Sequence, residues 1–255
     1  MKDQIKSVLT NRREFNAGVI SSVLTFTFLE TLFSSEAIGA EIQPIAAKWL
    51  KQVNELGQQV QGEKISQLAW QEQTTQLFEK IEIQELLKFV DFEKLTKDLK
   101  YRERGERALH FKFPEVEGLP TNLVFGHQIF ALEKNRSVVP HGHDNMATAF
   151  LVLDGSFEGK LYDRLEDGED HMIIRPTIDE TFTKGQASTI SEKKDNVHWF
   201  KCASKRGFIF NIHVLNLHDG QRSGRVYVDP NGEKISDGRI RAKKIRSGEA
   251  IKMYG

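Results

Sequence analysis

The chain is poor in the features that mark several large protein classes. Its single cysteine, Cys202, excludes an internal disulfide and a zinc site built from cysteines. Basic and acidic residues both total 36, so no net field draws the chain to nucleic acid. The sequence contains no GxGxxG, GxSxG or HExxH pattern and no P-loop. Several common enzyme classes are therefore not indicated.

What the chain does contain is typical of a globular protein. Hydrophobic residues make up 39% and charged residues 28%, a balance that allows a buried core. A length of 255 residues suits one domain with appendages or two small domains. Beyond the N-terminus there is no run of 18 uncharged apolar residues. The part of the chain that follows the N-terminal segment is therefore expected to have no membrane span.

The first forty residues have the composition of an export signal. A basic start is followed by the uncharged, largely apolar stretch Ala17–Leu29 and by small residues at Ala37–Ala40. Asn11–Phe15 contains paired arginines and resembles the twin-arginine signal, which implies export of the folded protein to the periplasm or another extracytoplasmic space. Residues 1–40 are thus predicted to be a signal peptide. The alternative is an amphipathic helix that stays attached, because Glu30 interrupts the apolar stretch.

Two further segments follow the predicted signal. Between Glu41 and Lys100, apolar residues recur at three- and four-residue steps, which predicts one-sided helices, with a polar break at Gly57–Glu63. A charged junction near Tyr101–Arg107 predicts the boundary between a helical segment, residues 41–104, and a second domain, residues 105–255.

The second domain has the texture of an antiparallel β-barrel. Short β-like runs alternate with turn signals such as Asp154-Gly155 and Lys184-Gly185. Asp229–Gly232 is predicted to be a hairpin turn, and the basic run Arg239–Arg246 a solvated tail. The main strand candidates are Leu123–Leu132, Thr148–Leu153, Ser156–Tyr162, His171–Ile174, Ala187–Ile190, His198–Cys202 and Phe208–Leu217.

Histidines in this half form a candidate metal site. His141 and His143 stand at i and i+2, so on a strand both imidazoles point to the same face. His198 opens another predicted strand and can supply a third ligand. The pattern resembles the cupin family, whose first motif contains HxH and a closing glycine, here Gly155. A second motif runs over Gly185–His198. The resemblance implies a cupin-type antiparallel β-barrel, a double-stranded β-helix, preceded by the helices.

The cupin glutamate ligand has no counterpart, because its candidate positions hold Ala147 and Thr148. Three histidines without a carboxylate are similar to the cysteine dioxygenase-like, or thiol dioxygenase, branch of the family. That resemblance implies Fe(II) on His141, His143 and His198, with a small thiol and dioxygen as substrates and a sulfinate as product. His213 matches the position of a histidine that assists the chemistry without binding the metal.

Other residues are predicted to contact the metal ligands or the substrate without binding the metal. Thr148 and Asn211 are predicted to support the site, and Cys202 shares a strand face with His198. The alternative for Cys202 is a small buried hydrophobic side chain. Glu192, in the approach to His198, is an alternative carboxylate ligand. No arginine aligns with a substrate-binding position, which leaves Arg107, Arg164 and Arg225 as candidates by charge alone.

Two other functions are compatible with the same sequence features. One is a different metal-dependent cupin activity, an isomerase, hydrolase or lyase that uses Mn, Zn or Ni. The other is a non-enzymatic cupin that binds a small ligand or a partner, with the helices as a docking surface and a homodimer as one outcome.

Overall fold

The computed structural model describes residues 45–120 and 122–255. Four helices come first: α1 (Ile45–Gln61), α2 (Gln67–Glu79), α3 (Ile83–Phe89) and α4 (Phe92–Thr96). None of the helices in the described ranges is long and apolar enough to cross a membrane. The predicted signal peptide lies outside the described residues.

Helix α1 is longer than its sequence predicts. It continues through Gly57 and ends at Gln61, so the break falls about one turn later than expected. A Cβ at Gly57 would lie 2.7 Å from Cγ2 of Val124. Close packing of the helix on the chain before the barrel therefore favours glycine at a position where local preference predicts a break. Helix α2 begins after Ser66, whose hydroxyl accepts a hydrogen bond from the amide of Ala69 at 3.1 Å.

Eleven strands and one further helix follow in the described residues. The strands are β1 (Arg107–Leu109), β2 (Phe125–Glu133), β3 (Ser137–Asp144), β4 (Met146–Asp154), β5 (Ser156–Asp167), β6 (His171–Thr183), β7 (Ala187–Ile190), β8 (Val197–Cys202), β9 (Arg206–Leu215), β10 (Gly224–Lys234) and β11 (Ile240–Ile245), and α5 is Ser247–Tyr254. All the strand pairs are antiparallel, in a five-stranded sheet of order β1-β2-β9-β4-β7 and a closed arrangement of order β10-β11-β6-β5-β8-β3. The prediction of a mainly β, cupin-type antiparallel fold with N-terminal helices is confirmed.

The five-stranded sheet is buried on both faces. Along β4, Ala149 and Leu151 belong to a cluster that includes the N-terminal helices, whereas Phe150 and Val152 belong to the cluster inside the barrel. This two-residue alternation is the geometry of a strand with apolar contacts on each side. The helices therefore close the outer face and leave the inner face to line the site.

A cluster of three aromatic side chains packs the helices against this sheet. The ring of Trp49 in α1 lies 5.1 Å from that of Phe78 in α2 and 5.9 Å from that of Phe210 in β9, centroid to centroid. Trp49 is 3% exposed, and Phe78 and Phe210 are fully buried. Buried aromatic rings contribute large apolar areas, so this group is a main source of the cohesion between helices and barrel.

The structure corrects two expectations near the C-terminus. Asp229–Gly232 is not a hairpin turn, because β10 continues through it with an irregularity in its pairing to β11. The hairpin turn is the 3₁₀ segment Ser236–Gly238. The run Arg239–Arg246 is not a solvated tail, because most of it forms β11. Its apolar residues Ile240 and Ala242 are buried, whereas Arg241 and Lys243 between and after them are exposed.

Candidate metal centre

Three histidines from two neighbouring strands converge inside the barrel. His141 and His143 occupy alternate positions of β3, and His198 on β8 is directly opposite His141 in the strand register. The nitrogen atoms that these residues offer all lie within 4.8 Å of one another. The structure thus brings together the three predicted ligands in an arrangement that can hold one metal ion.

Two of the imidazole rings are oriented by hydrogen bonds on the side away from their free nitrogen. The pairing of β3 shifts just before His141, at the segment that contains Pro140, which has no amide hydrogen to pair. There, Nδ1 of His141 donates to the carbonyl oxygen of Val139 at 2.8 Å. Nδ1 of His143 lies 3.1 Å from the hydroxyl of Thr148. Both contacts leave Nε2 available, which is how protein surroundings commonly orient metal-binding histidines.

The three imidazoles are buried and uncharged, which is the state in which imidazole binds a metal. His141 is 4% exposed, His143 2% and His198 0%. Burial, with a smaller contribution from the positive charge of Arg225, lowers the pKa of His141 to about 3. Burial and neighbouring charge also hold the pKa values of His143 and His198 well below the usual range.

Several ring nitrogen atoms of the cluster are buried without a hydrogen-bond partner, and this bears on whether the cluster fits a metal. Nε2 of His143 and both ring nitrogens of His198 are buried without a hydrogen-bond partner. Such atoms are costly in a folded protein unless a ligand satisfies them. The residues present therefore fit a divalent ion that accepts imidazole nitrogen.

No carboxylate joins the three histidines in the metal-ligand group of the described residues. Ala147 and Thr148 occupy the strand positions at which the cupin motif has its glutamate. Glu192 is engaged elsewhere: its carboxylate accepts from the amide of Asn145 at 2.9 Å and lies 3.0 Å from Nε2 of His218. Glu192 thus connects a loop to the barrel, and it is not part of the three-histidine group.

His213 faces the same cavity from β9. It is directly opposite Thr148 on β4 and Gly126 on β2, and its ring lines the cavity. A Cβ built at Gly126 would lie 2.2 Å from Nε2 of His213, so the ring occupies space that only glycine leaves free. Burial, with the positive charge of Arg225, lowers the pKa of His213 to about 4. At neutral pH its imidazole is therefore uncharged and available for one hydrogen bond to a ligand.

The other two predicted supporting residues, Asn211 and Cys202, differ in whether they lie at the cavity. Asn211 lines the cavity and donates to the carbonyl of Ala149 at 3.2 Å. Cys202 does not line the cavity and packs in the inner apolar cluster instead. Its sulfur contacts the carbonyl oxygens of Leu132 and Ser204, and burial raises the pKa of its thiol. This is the environment of an inert buried cysteine.

The cavity contains two polar residues that the sequence did not indicate, Glu106 and Tyr227, together with Arg225, a candidate by charge alone. Its volume is about 40 Å³, or about 470 Å³ when the open solvent space at its mouth is counted, and its lining includes Glu106, Arg225 and Tyr227. Arg225 and Tyr227 on β10 are directly opposite His143 and His141 of β3. Residues opposite each other in an antiparallel pair share a face, so both side chains lie on the face of the histidines. Only knowledge that β10 pairs with β3 reveals this.

The other arginine candidates lie outside this cavity. Arg164 donates to Asp144 at 2.5 Å and also forms an ion pair with Asp167. Arg107 is exposed in the short strand β1. Of the three arginines proposed by charge, the structure places only Arg225 in the lining.

Comparisons with known proteins give partial likenesses. No protein-family model matches the chain, and no curated protein matches it. Solved structures that match include procruciferin, an 11S globulin from Brassica napus, with 13% identity, a TM-score of 0.32, and coverage of 43% of this chain and 24% of that one. The protein TT1209 from Thermus thermophilus has 13% identity, a TM-score of 0.34, and coverage of 49% and 94%. The chain spans less than a third of the 11S globulins that it matches.

Proposed function

We propose that the protein is a mononuclear non-haem Fe(II) dioxygenase that oxidises a small thiol to a sulfinate. The observation that carries this proposal is the set of three neutral, buried histidines with no carboxylate, facing a cavity that also contains the uncharged His213. Three neutral ligands leave the full 2+ charge of an ion uncompensated. A site of that kind favours an anionic substrate such as a thiolate.

The roles of the residues follow from their contacts. His141, His143 and His198 would hold the metal, and the Thr148 hydroxyl would keep the ring of His143 in its orientation. When bound, the iron would supply adjacent binding positions for a thiolate and for dioxygen, together with the redox chemistry that joins them. The net change is RS⁻ + O₂ → RSO₂⁻, in which the S–H proton leaves on binding and both oxygen atoms finish on sulfur.

The remaining lining residues act on the substrate. Phe130 and Phe150 make one wall apolar, which limits the water around the reacting sulfur. The positive charge of Arg225 favours the thiolate over the thiol in this low-dielectric space. His213 would form one hydrogen bond with the substrate, and its neutral state would allow it to donate or accept.

Localisation belongs to the same proposal. We infer that residues 1–40 direct export by the twin-arginine route, so that a metal site folded and loaded in the cytoplasm reaches the periplasm intact. Mass spectrometry of the protein recovered from that compartment is expected to show a new N-terminus near Ala40. A full-length chain there would argue against the signal.

Oxygen uptake is the direct test of the activity. The protein lacking residues 1–40 is loaded anaerobically with Fe(II) and mixed with a series of small thiols in an oxygen-electrode cell. Uptake that requires both iron and a thiol, with one O₂ consumed per sulfinate, supports the proposal. His198→Ala should lose bound iron and uptake, whereas His110→Ala, a surface control, should retain both. Full iron content without uptake on any thiol would refute it.

A further inference from the structure

The cavity in front of the three histidines is too small for an organic molecule as it stands. Its volume inside the mouth is about 40 Å³. That is space for a few water molecules, since one water needs about 10–15 Å³ of such volume. Pockets that bind small molecules usually have volumes of about 300 Å³ or more. A wall of the cavity must therefore move before a molecule of several heavy atoms can reach the histidines.

Only one residue of the lining lies on a helix in the part of the chain that the structure describes. Apart from Glu106, which directly precedes β1, and Ile251 on α5, the lining residues all lie on paired strands. Ladder hydrogen bonds between neighbouring strands hold such residues in place. Ile251 is half-buried, and its helix can move without breaking a strand ladder.

Helix α5 is attached to the barrel by one face. Ala250 is fully buried, and Ile251 and Tyr254 are half-buried. No atom of the described residues lies within 4 Å of a Cβ built at Gly248, so the first turn is not packed. A helix this short has little stability of its own, and elements with few buried contacts open locally at low cost in free energy. The exposed residues of α5 are Ser247, Gly248, Glu249, Lys252 and Met253.

Tyr254 supplies most of the polar contacts between α5 and the barrel. Its hydroxyl donates to the carboxylate of Asp229 and accepts from Nδ2 of Asn231 at 3.1 Å. Its carbonyl oxygen accepts from the hydroxyl of Ser137 at the start of β3. Its ring lies 5.0 Å from that of Trp199, centroid to centroid. Hydrogen bonds of a half-exposed side chain contribute little net stability, because water replaces the partners when they separate.

The segment before β1 meets α5 at the rim of the cavity. Arg104 donates to the carbonyl of Lys252 at 3.2 Å. A Cβ at Gly255 would lie 2.9 Å from the amide nitrogen of Gly105, so these two backbones are in close contact. Glu106, the next residue, lines the cavity together with Ile251. Separation of these two surfaces would therefore widen the mouth.

We propose that α5 is a flap over the metal-site cavity and that Ile251 limits the size of the molecules that reach the histidines. The flap opens when the contacts of Tyr254 break, and it closes over a bound molecule, which then lies in a space with little water. Ile251 acts by its volume, because its side chain has no charge and no hydrogen-bonding group. This inference rests on the proposed function for the metal beneath the flap. The size limit itself concerns binding and does not depend on oxidation.

Two ligands with the same metal-binding group and different sizes test the size limit. The protein is loaded anaerobically with Co(II), whose visible spectrum changes when a ligand binds, and is mixed rapidly with acetohydroxamate or benzohydroxamate. Benzohydroxamate is expected to bind at least about tenfold more slowly than acetohydroxamate, because it requires the wider opening. Ile251→Ala should remove most of this difference. Met253→Ala, an exposed control on the same helix, should leave it unchanged.

Hydrogen exchange of the metal-free protein measures the opening of the flap separately. The amides of α5 should exchange at least about tenfold faster than those of β11, which precedes it, because α5 opens while the barrel stays folded. Tyr254→Phe removes only the hydroxyl that contacts Asp229 and Asn231. It should speed exchange in α5 and the binding of both hydroxamates, and leave exchange in β11 unchanged.

The outcomes distinguish the flap from the activity. Equal binding rates of the two hydroxamates in the natural protein, an unchanged ratio in Ile251→Ala, or α5 amides as protected as those of β11 would overturn the inference. A size limit that Ile251→Ala removes, without oxygen uptake by the iron-loaded protein on any thiol, would refute only the dioxygenase activity. Uptake without a size limit would refute only the flap. Absence of Co(II) binding would overturn both.

Discussion

The buried histidines make the metal-free protein sensitive to mild acid, and the effect of one of them can be measured. Burial lowers the pKa of His141 to about 3, whereas its ring in the unfolded chain titrates near the ordinary value of 6.5. Between these values the unfolded state binds a proton that the folded state does not, so stability falls as pH falls. At pH 5, which is about 1.5 pH units below the pKa of the unfolded chain, this one side chain lowers the free energy of unfolding by about 2 kcal/mol.

The assay is urea unfolding of the metal-free protein at pH 7.5 and pH 5.0. His141→Gln removes the titrating ring, so its loss of stability between the two pH values should be about 2 kcal/mol smaller than that of the natural sequence. Because the comparison is between two pH values, any pH-independent cost of the substitution cancels. His110→Gln, at an exposed position, should show the same pH dependence as the natural protein.

Equal pH dependence of His141→Gln and the natural protein would refute this reasoning, since it would mean that His141 binds its proton in the fold. Addition of a divalent metal should raise the free energy of unfolding at both pH values and leave the difference between them, because the unfolded chain still takes up the proton. Metal binds the folded state with neutral ligands and so stabilises it by mass action.

Three further predictions rest on single contacts. Gly126→Ala should displace the His213 ring and lower kcat by at least about tenfold, on the scale of losing a positioned hydrogen-bonding group; unchanged kcat at full iron content would contradict a role for that ring position. Thr148→Val removes the hydroxyl 3.1 Å from His143 and should weaken metal affinity by about 10- to 100-fold in equilibrium dialysis, and unaltered affinity would show that the hydroxyl does not orient the ligand. Phe78→Ala should lower the free energy of unfolding by about 3–5 kcal/mol in a urea titration of the whole chain, and a loss below about 1 kcal/mol would show that the helices do not depend on this ring.

Local spacing in the sequence was sufficient for several features. Two-residue periodicity put His141 and His143 on one strand face, and the structure brings His198 to them. Helical periodicity located the N-terminal helices, although the end of the first was misplaced because Gly57 is governed by packing on Val124.

The sequence by itself determined the fold class and pointed to the three histidines that the structure brings together, because strand and helix periods are local properties of the chain. Only the tertiary structure decided that Arg225 faces His143, that Glu106 reaches the same cavity and that Gly126 makes room for His213. These neighbours are far apart in sequence and meet through strand pairing and helix packing. A one-residue change of register would turn each side chain to the opposite face, so nothing short of the folded barrel specifies them.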